Sequence, residues 1–501
     1  MKTGLSLIAL ALAVAAPAVV HAQESVEKAK PEKPADVEPQ IRTTKLSGAF
    51  GGQRINYAAT IGETIIKNKD GVPEVSVVTT AYVKEPRDPG RPVTFLFNGG
   101  PGSGTVWLMM GAFGPKRVAI PGDARDDGAP PYPIVDNPDA LLDVTDIVFI
   151  DPPGTGFSHL IGKADPKDYY GVTQDAKLVA EVIRRWLNDN GRWNSPKYLG
   201  GESYGTTRSA AVANQLMNET YNDVALNGII LISTVLDFAA GADTPGNELS
   251  PITNLPSMAA TAQFHGKAGV GVSVEQFVEE ARQWAIGPYA AALLKGQKLQ
   301  GEERAAIRRD LARFTGLNES YLESADLRVT PGRFYKELLR DRGLTVGRLD
   351  SRYTGKDYDN AGEQPDNDPS FYGIDASYTA AINSWSRDVL GFKTTLEYQS
   401  ISGIGGLWDW RIGGRDTNAY LNVTPYIGQA LRENSGLRVF VGQGYYDFAT
   451  PFFAAEYALS RTGIPQDRIT YQYYGAGHMM YIRDEDRHKL SQDIRAFIRG
   501  R

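Results

Sequence analysis

Short apolar segments alternate with amphipathic segments along most of the chain. Strands are predicted from alternating or apolar runs over 74–83, 93–97, 146–150, 197–199, 228–232, 437–441 and 469–473. Helices are predicted from apolar residues at helical spacing over 178–187, 426–432 and 486–498. Because the strands alternate with helices, we expect an α/β fold with a mostly parallel central sheet and helices on both faces.

The stretch from 250 to 390 breaks this alternation. Long helical patterns occupy 274–294 and 302–314, and a polar, aspartate-rich segment follows at 356–368. We therefore predict a helical cap insertion over 250–390. It would divide the sheet domain into a first part, 45–249, and a second part, 391–501.

The N-terminus has the pattern of an export signal. Lys2 precedes an apolar run from Leu5 to Val14, and small residues ending in Ala22 resemble a signal-peptidase site, so 1–22 is predicted to be a signal peptide. The run is short for a membrane span, so no stable membrane insertion is expected after cleavage. Residues 23–44 are rich in Glu, Lys and Pro and lack aromatics, which predicts a disordered leader.

The composition excludes several kinds of function. The chain has 53 basic and 59 acidic residues, a formal charge of −6 and no lysine- or arginine-rich run, so no nucleic acid is expected as a partner. It has no cysteine, which excludes disulfides, thiol catalysis and thiolate metal sites, and an exported chain of this kind suits the bacterial periplasm. No cofactor and no metal ion are expected, and nothing in the sequence predicts an oligomeric state. Five histidines are available to a mechanism that needs one: His21, His159, His265, His478 and His488.

A candidate nucleophile follows the predicted strand at 197–199. The segment Gly201-Glu-Ser203-Tyr-Gly205 fits the pattern G-x-S-x-G. A serine on a sharp strand-to-helix turn exposes its Oγ, and the flanking glycines allow the backbone to bend that tightly. Taken alone, the pattern also fits an ordinary glycine turn.

A serine nucleophile needs a base, and the base needs a carboxylate that orients it. His478 and Asp447 each follow a predicted strand, at the sheet edge where α/β proteins place their ligands. The alternatives are a loop histidine that binds backbone and an aspartate that forms a turn before Pro451. The order Ser203, Asp447, His478 is that of the α/β-hydrolase fold, so we predict a catalytic triad.

A glycine-rich loop, Asn98 to Gly104, follows the predicted strand at 93–97. Glycines let main-chain N–H groups approach a substrate, as an oxyanion hole requires. A phosphate-binding loop is the alternative, but no Gly-Lys-Ser/Thr follows. Two glycine-rich loops, each after a strand, fit the oxyanion arrangement of a hydrolase.

Together these segments resemble the serine carboxypeptidases, peptidase family S10. The resemblance is carried, in the order of that family, by Asn98-Gly-Gly-Pro-Gly102, Asp151-Pro-Pro-Gly-Thr-Gly-Phe-Ser158, Gly201-Glu-Ser-Tyr-Gly205 and Gly477-His478-Met479. It implies that Ser203 is the nucleophile, Asp447 the orienting acid and His478 the base.

The resemblance also implies roles around the triad. The N–H groups of Gly100 and Tyr204 would form the oxyanion hole. Substrate binding would fall to Met479 and to the pair Asn98 and Glu202, which would hold the C-terminal carboxylate. The family usually adds a second glutamate at the position where this chain has Ala112.

The sequence thus predicts a secreted serine carboxypeptidase with an α/β-hydrolase fold and a helical cap. It would cleave the last peptide bond of peptides with a free C-terminus through an acyl-enzyme. An esterase or acyltransferase with the same triad is the first alternative, because Ala112 replaces the second glutamate. The second alternative is a non-catalytic, peptide-binding periplasmic protein.

Overall fold

A mixed sheet of ten strands organises the part of the chain that the computed structural model describes, residues 37–218, 222–412, 420–461 and 463–500. The predicted signal peptide and residues 23–36 of the predicted leader lie outside the described residues. The strands are β1 (Ile41–Phe50), β2 (Gln53–Lys67), β3 (Pro73–Glu85), β4 (Val93–Phe97), β5 (Lys116–Val118), β6 (Ile134–Asp136), β7 (Asp146–Ile150), β8 (His159–Leu160), β9 (Lys197–Ser203), β10 (Gly228–Thr234), β11 (Thr345–Val346), β12 (Thr354–Gly355), β13 (Arg438–Gly444) and β14 (Ile469–Tyr474).

Helices connect the strands of the parallel part of the sheet and fill the region after β10. They are α1 (Val172–Asp189), α2 (Tyr204–Met217), α3 (Leu249–Phe264), α4 (Val274–Trp284), α5 (Ala290–Lys295), α6 (Gly301–Thr315), α7 (Glu319–Ser324), α8 (Pro331–Glu337), α9 (Pro369–Tyr372), α10 (Asp375–Ser384), α11 (Thr424–Glu433), α12 (Phe452–Leu459) and α13 (Asp484–Arg499). A π-helical turn, Ala285–Tyr289, joins α4 to α5, so the pattern predicted over 274–294 corresponds to one nearly continuous helical segment.

The sheet has the order β1-β2-β3-β7-β4-β9-β10-β13-β14, and β8 pairs with β3. The pairings from β1 to β7 are antiparallel, whereas those from β7 to β14 are parallel. Six adjacent parallel strands, with helices on the sheet, confirm the predicted α/β class. The carboxyl ends of β4, β9, β13 and β14 meet at one edge because these strands run in the same direction.

Apolar side chains cover both faces of the sheet. Successive residues of a strand point to opposite faces, so Val148 and Phe149 of β7 belong to different buried clusters. Ile229 and Ile230 of β10 divide in the same way. Both faces are therefore buried, which explains the continuous apolar strands in the sequence.

The region from α3 to a helical turn that ends at Val389 is mostly helical and has its own apolar cluster. That cluster includes Phe448, which follows β13, so the helices pack onto a loop at the carboxyl edge of the sheet. The described residues from Val37 onwards form one compact unit. The boundaries at 250 and 390 therefore stay a prediction.

The prediction of a disordered leader over 23–44 is wrong for residues 41–44, which belong to a strand. The first strand begins at Ile41, which pairs with Gly62 of β2, and the strand continues through Thr44. An edge strand is held by main-chain hydrogen bonds on one side only, so its mostly exposed, polar side chains are compatible with it. None of the helices in the described part of the chain has the length and apolar character that a membrane span requires.

Candidate active site

Ser203 lies on a sharp turn between a strand and a helix. It is the last residue of β9, and α2 begins at the next residue. Its φ of 62° lies in the left-handed region, which is strained for a residue with a side chain. A side-chain carbon on Gly201 would lie 2.1 Å from Gly205 O, and one on Gly205 would lie 2.8 Å from Phe97 O. Only glycine fits at both positions, so the G-x-S-x-G pattern follows from the packing of this turn.

His478 and Asp447 lie on the loops after β14 and β13. His478 Nδ1 is 2.8 Å from Asp447 Oδ2. The carboxylate also accepts hydrogen bonds from Ala449 N at 2.7 Å, from Thr450 N at 3.0 Å and from the Thr450 hydroxyl at 2.7 Å. A carboxylate only accepts, so the imidazole proton is placed on Nδ1, and Nε2 is left as the basic nitrogen.

The Asp447 carboxylate also sets the basicity of the imidazole. Burial lowers the pKa of His478, but the charge of Asp447 and its hydrogen bond outweigh burial and raise that pKa above the ordinary 6.5. Asp447 is completely buried, so water does not screen its charge. A histidine held by a buried carboxylate in this way is able to accept a proton at Nε2.

One cavity brings most of the predicted site residues together. It has a volume of about 350 Å³ at the carboxyl edge of the sheet. Ser203 lines it, and in the described part of the chain its hydroxyl has no hydrogen-bond partner. Asp447 lies behind the imidazole and is not part of the lining. The other predicted residues that line the cavity are Asn98, Gly100, Glu202, His478 and Met479.

The two loops predicted to hold the oxyanion are in direct contact. A side-chain carbon on Gly99 would lie 2.5 Å from Tyr204 N and 2.7 Å from Glu202 O. Gly100 has a φ of 102°, a conformation that favours glycine. The N–H of Tyr204 is in the first turn of α2, where N–H groups have no partner within the helix. The N–H groups of Gly100 and Tyr204 therefore belong to adjoining loops beside Ser203.

Asn98 and Glu202 form a buried polar pair at the cavity. Asn98 Nδ2 donates to Glu202 Oε1 at 2.9 Å, and Asn98 Oδ1 accepts from Leu108 N at 3.2 Å. Glu202 is only 3% exposed, and burial raises its pKa to about 7. Near neutral pH a large fraction of this carboxyl group is protonated and can donate a hydrogen bond. Ala112 is buried in the turn Leu108–Phe113 and is not among the lining residues.

A segment of the helical region, residues 347–352, contacts the loops that carry Asp447 and His478, and we call it the clamp segment. Leu349 O accepts from His478 N at 2.6 Å, and Asp350 Oδ2 accepts from Gly477 N at 3.1 Å. On the Asp447 loop, Phe448 N donates to Arg348 O at 3.1 Å. The clamp segment thus fixes the His478 loop and the Asp447 loop relative to each other.

Sequence reasoning missed the clamp segment and Thr450. The clamp segment acts mainly through main-chain atoms, so its side chains carry little signal. Gly477 is an indirect signal of the clamp segment in the sequence. A side-chain carbon at this position would lie 2.3 Å from Leu349 O, so the close contact requires glycine. In the described part of the chain, no three His, Asp or Glu side chains are grouped so that they could hold a metal ion.

Comparison with known proteins is consistent with this site. Residues 81–250 match the family model for serine carboxypeptidase, a segment that contains Asn98, Gly100 and the Ser203 turn. Among curated proteins, none matches the chain by sequence. The fold is similar to that of Kex1Δp, a prohormone-processing carboxypeptidase from Saccharomyces cerevisiae, with 14% identity, 88% of this chain and 91% of that chain covered, and a TM-score of 0.53.

Weaker similarities extend to other hydrolases. Proline iminopeptidase from Mycobacterium smegmatis matches at 13% identity, with 87% of this chain and 99% of that chain covered and a TM-score of 0.37. Epoxide hydrolase from Aspergillus niger matches at 12% identity, with 88% and 78% covered and a TM-score of 0.34. Both TM-scores lie below 0.5.

The fold is that of the α/β hydrolases. Within this fold, the family match over residues 81–250 confirms the predicted resemblance to the serine carboxypeptidases. The match to the serine carboxypeptidase model supports hydrolase activity of the peptidase type, whereas the similarity to Kex1Δp shows the fold.

Proposed function

We propose that the protein is a serine carboxypeptidase that removes the last residue of peptides with a free C-terminus. The observation that carries this proposal is the convergence on one cavity of a strained serine, a histidine held by a buried aspartate, and a buried Asn–Glu pair. The serine and the aspartate-held histidine are the nucleophile and the base that an acyl-transfer enzyme requires. The buried pair of Asn98 and Glu202 is suited to bind a carboxylate.

The first half of the reaction forms an acyl-enzyme. His478 Nε2 takes the proton of Ser203 Oγ as the oxygen attacks the carbonyl carbon of the last peptide bond. The N–H groups of Gly100 and Tyr204 stabilise the oxyanion of the tetrahedral intermediate. When the intermediate collapses, the C–N bond breaks and His478 gives its proton to the leaving amino group, while Asp447 stabilises the imidazolium.

The second half releases the shortened peptide. Water attacks the ester carbonyl, His478 accepts one of its protons, and the same N–H groups hold the second oxyanion. Collapse breaks the bond to Ser203 Oγ, which recovers its proton from the imidazolium. Apart from this water, every group that acts in the two halves belongs to the chain.

The restriction to the last bond would come from Asn98 and Glu202. The amide of Asn98 and the protonated carboxyl of Glu202 can both donate to the terminal carboxylate of a peptide. Two ionised carboxylates would repel each other, so the raised pKa of Glu202 is required for this role. A substrate bound in this way presents its last peptide bond to Ser203.

Three matched substrates test the proposal: a peptide with a free C-terminus, its C-terminal amide and a small ester. We expect the free acid to be cleaved best and Ser203→Ala to lose turnover while keeping the far-ultraviolet circular dichroism of the native protein. Ser324→Ala, which removes a hydroxyl from the exposed end of α7, serves as the matched control. Full turnover by Ser203→Ala would contradict the proposal.

An esterase or acyltransferase with the same triad is the second candidate. It is favoured by Ala112, because only one glutamate, Glu202, lines the described cavity. Equal cleavage of the free acid and the amide would support it over a carboxypeptidase. No turnover of any substrate and no covalent modification of Ser203 would instead favour a peptide-binding protein.

Secretion to the bacterial periplasm belongs to the same proposal. It is supported by the export pattern of residues 1–22, with small residues that end in Ala22. Expression of the full chain in a Gram-negative host, followed by fractionation and N-terminal sequencing, should give a periplasmic product that begins at Gln23. An intact N-terminus in the cytoplasmic fraction would contradict it.

A further inference from the structure

Arg348 is the second residue of the clamp segment, and hydrogen bonds hold its backbone N–H and its carbonyl oxygen. Arg348 N donates to Asp368 Oδ1 at 3.0 Å, and Arg348 O accepts from Phe448 N at 3.1 Å. Leu349 N donates to Asp368 Oδ2 at 3.2 Å, and Leu349 O accepts from His478 N. The position of Arg348 relative to the catalytic base is therefore set by hydrogen bonds that do not involve its side chain.

The Arg348 side chain lines the catalytic cavity and is exposed to solvent. Among the described lining residues it is the only arginine or lysine. In the described part of the chain, its guanidinium has no hydrogen bond or ion pair. Most charged side chains of the clamp segment and its neighbours do have partners, as in the buried pair of Arg352 and Asp350.

The acidic groups near the cavity are already bound elsewhere. Asp368 accepts from the main chain of the clamp segment and from Ser370 N at 3.0 Å. Glu202 accepts from Asn98, and Asp447 accepts from His478. The positive charge of Arg348 is therefore left for a group that enters the cavity. A guanidinium matches the geometry of a carboxylate, which it can bind through two parallel N–H groups.

We propose that Arg348 binds the carboxylate of an acidic side chain of the substrate, so that the enzyme prefers Glu or Asp in one of the two residues joined by the scissile bond. This inference rests on the proposed function. The terminal carboxylate is assigned to Asn98, in the loop after β4, and to Glu202, near the end of β9. Arg348 comes from the helical region and contacts the loop of the acid through its main chain. It therefore lines a part of the cavity wall other than the part formed by Asn98 and Glu202.

Pairs of free-acid peptides that differ only in Glu against Gln, at either residue of the scissile bond, test the proposal. For at least one position we expect the native enzyme to favour Glu by about three- to fivefold in kcat/KM, the upper part of the range of a solvent-exposed ion pair. Arg348→Met should bring this ratio close to one, and Arg348→Lys should retain part of it. In the native enzyme the preference should also fall as salt is added, since an exposed ion pair is screened.

Arg309→Met is the matched control because it removes an exposed arginine of α6 that pairs with Glu302. It should leave the Glu/Gln ratio unchanged. A ratio near one in the native enzyme, or a ratio that survives in Arg348→Met, would overturn the proposal. So would a loss of the free-acid over amide preference in Arg348→Met with no change in the Glu/Gln ratio, because Arg348 would then bind the terminal carboxylate.

Failure of the proposed function and failure of the Arg348 assignment give different results. If native enzyme cleaves none of the free-acid peptides, the proposed function fails. If it cleaves them but shows no dependence on Arg348 in the Glu/Gln ratio, only the assignment of Arg348 fails. Thermal melting of each variant separates a loss of recognition from a loss of folding.

Discussion

A change of pH through the pKa of Glu202 should change which substrates the enzyme accepts. Burial raises this pKa to about 7, so the carboxyl group is neutral below that value and ionised above it. The neutral form can donate to a terminal carboxylate, whereas the ionised form repels it. Cleavage of free-acid peptides should therefore weaken as the pH rises, while cleavage of the matching amides should not.

The size of the effect follows from the titration. With a pKa of about 7, the protonated fraction is about 90% at pH 6 and about 10% at pH 8. The free-acid over amide ratio of kcat/KM should thus fall about tenfold over this interval. His478 must be neutral to act as the base, and its pKa is raised by Asp447, so both substrates lose rate on the acid side. The ratio cancels that shared loss.

The assay measures kcat/KM for one peptide as free acid and as amide across this pH range. Glu202→Gln keeps a neutral donor at every pH, so the ratio should become independent of pH. Glu303→Gln, at an exposed position on α6, should behave as the native enzyme does. A ratio that is flat in the native enzyme, or that still falls in Glu202→Gln, would refute the assignment of Glu202.

Three further substitutions test other parts of the site and its scaffold. Asp447→Asn should lower kcat by roughly 10³- to 10⁴-fold with little change in folding, because an amide favours the wrong tautomer of the catalytic imidazole; a loss below tenfold in steady-state kinetics would count against the triad. Gly477→Ala would place a carbon 2.3 Å from Leu349 O, so the clamp segment should move and kcat should fall about tenfold while the fold is kept. Native kcat in that variant would show that the contact does not position the base. Asp175→Asn should destabilise the protein by about 3 kcal/mol in urea unfolding, because it leaves the completely buried Arg208 guanidinium without its 2.6 Å ion partner; an unchanged unfolding midpoint would contradict this.

The strands and helices that have a strong hydrophobic pattern were predictable from the sequence. The bounds of β4, Val93–Phe97, and β7, Asp146–Ile150, agree with prediction because both strands are buried on both faces and are mostly apolar. The amphipathic helix α6 differs by one residue at each end. By contrast, β1 carries polar side chains at a sheet edge, where main-chain pairing with β2 holds it, so no apolar run marked it.

Some residues of the candidate site were predictable from the sequence, and others were not. Ser203 and the glycines around it were predictable because the sharp turn demands those residue types in one short segment. Asp447 and His478 could be chosen because each follows a strand at the same sheet edge. The clamp segment is about 100 residues or more away from both in sequence and contacts them largely through carbonyl and N–H groups, which every residue has. Its role could be recognised only once the fold brought it to the cavity.

Covalent labelling tests the central claim, that Ser203 is a nucleophile activated by His478. The native protein is treated with a fluorophosphonate and digested, and the modified residue is located by mass spectrometry. We predict one adduct, on Ser203, absent from Ser203→Ala and strongly slowed in His478→Ala. No adduct, or an adduct on another serine that persists in Ser203→Ala, would contradict the account.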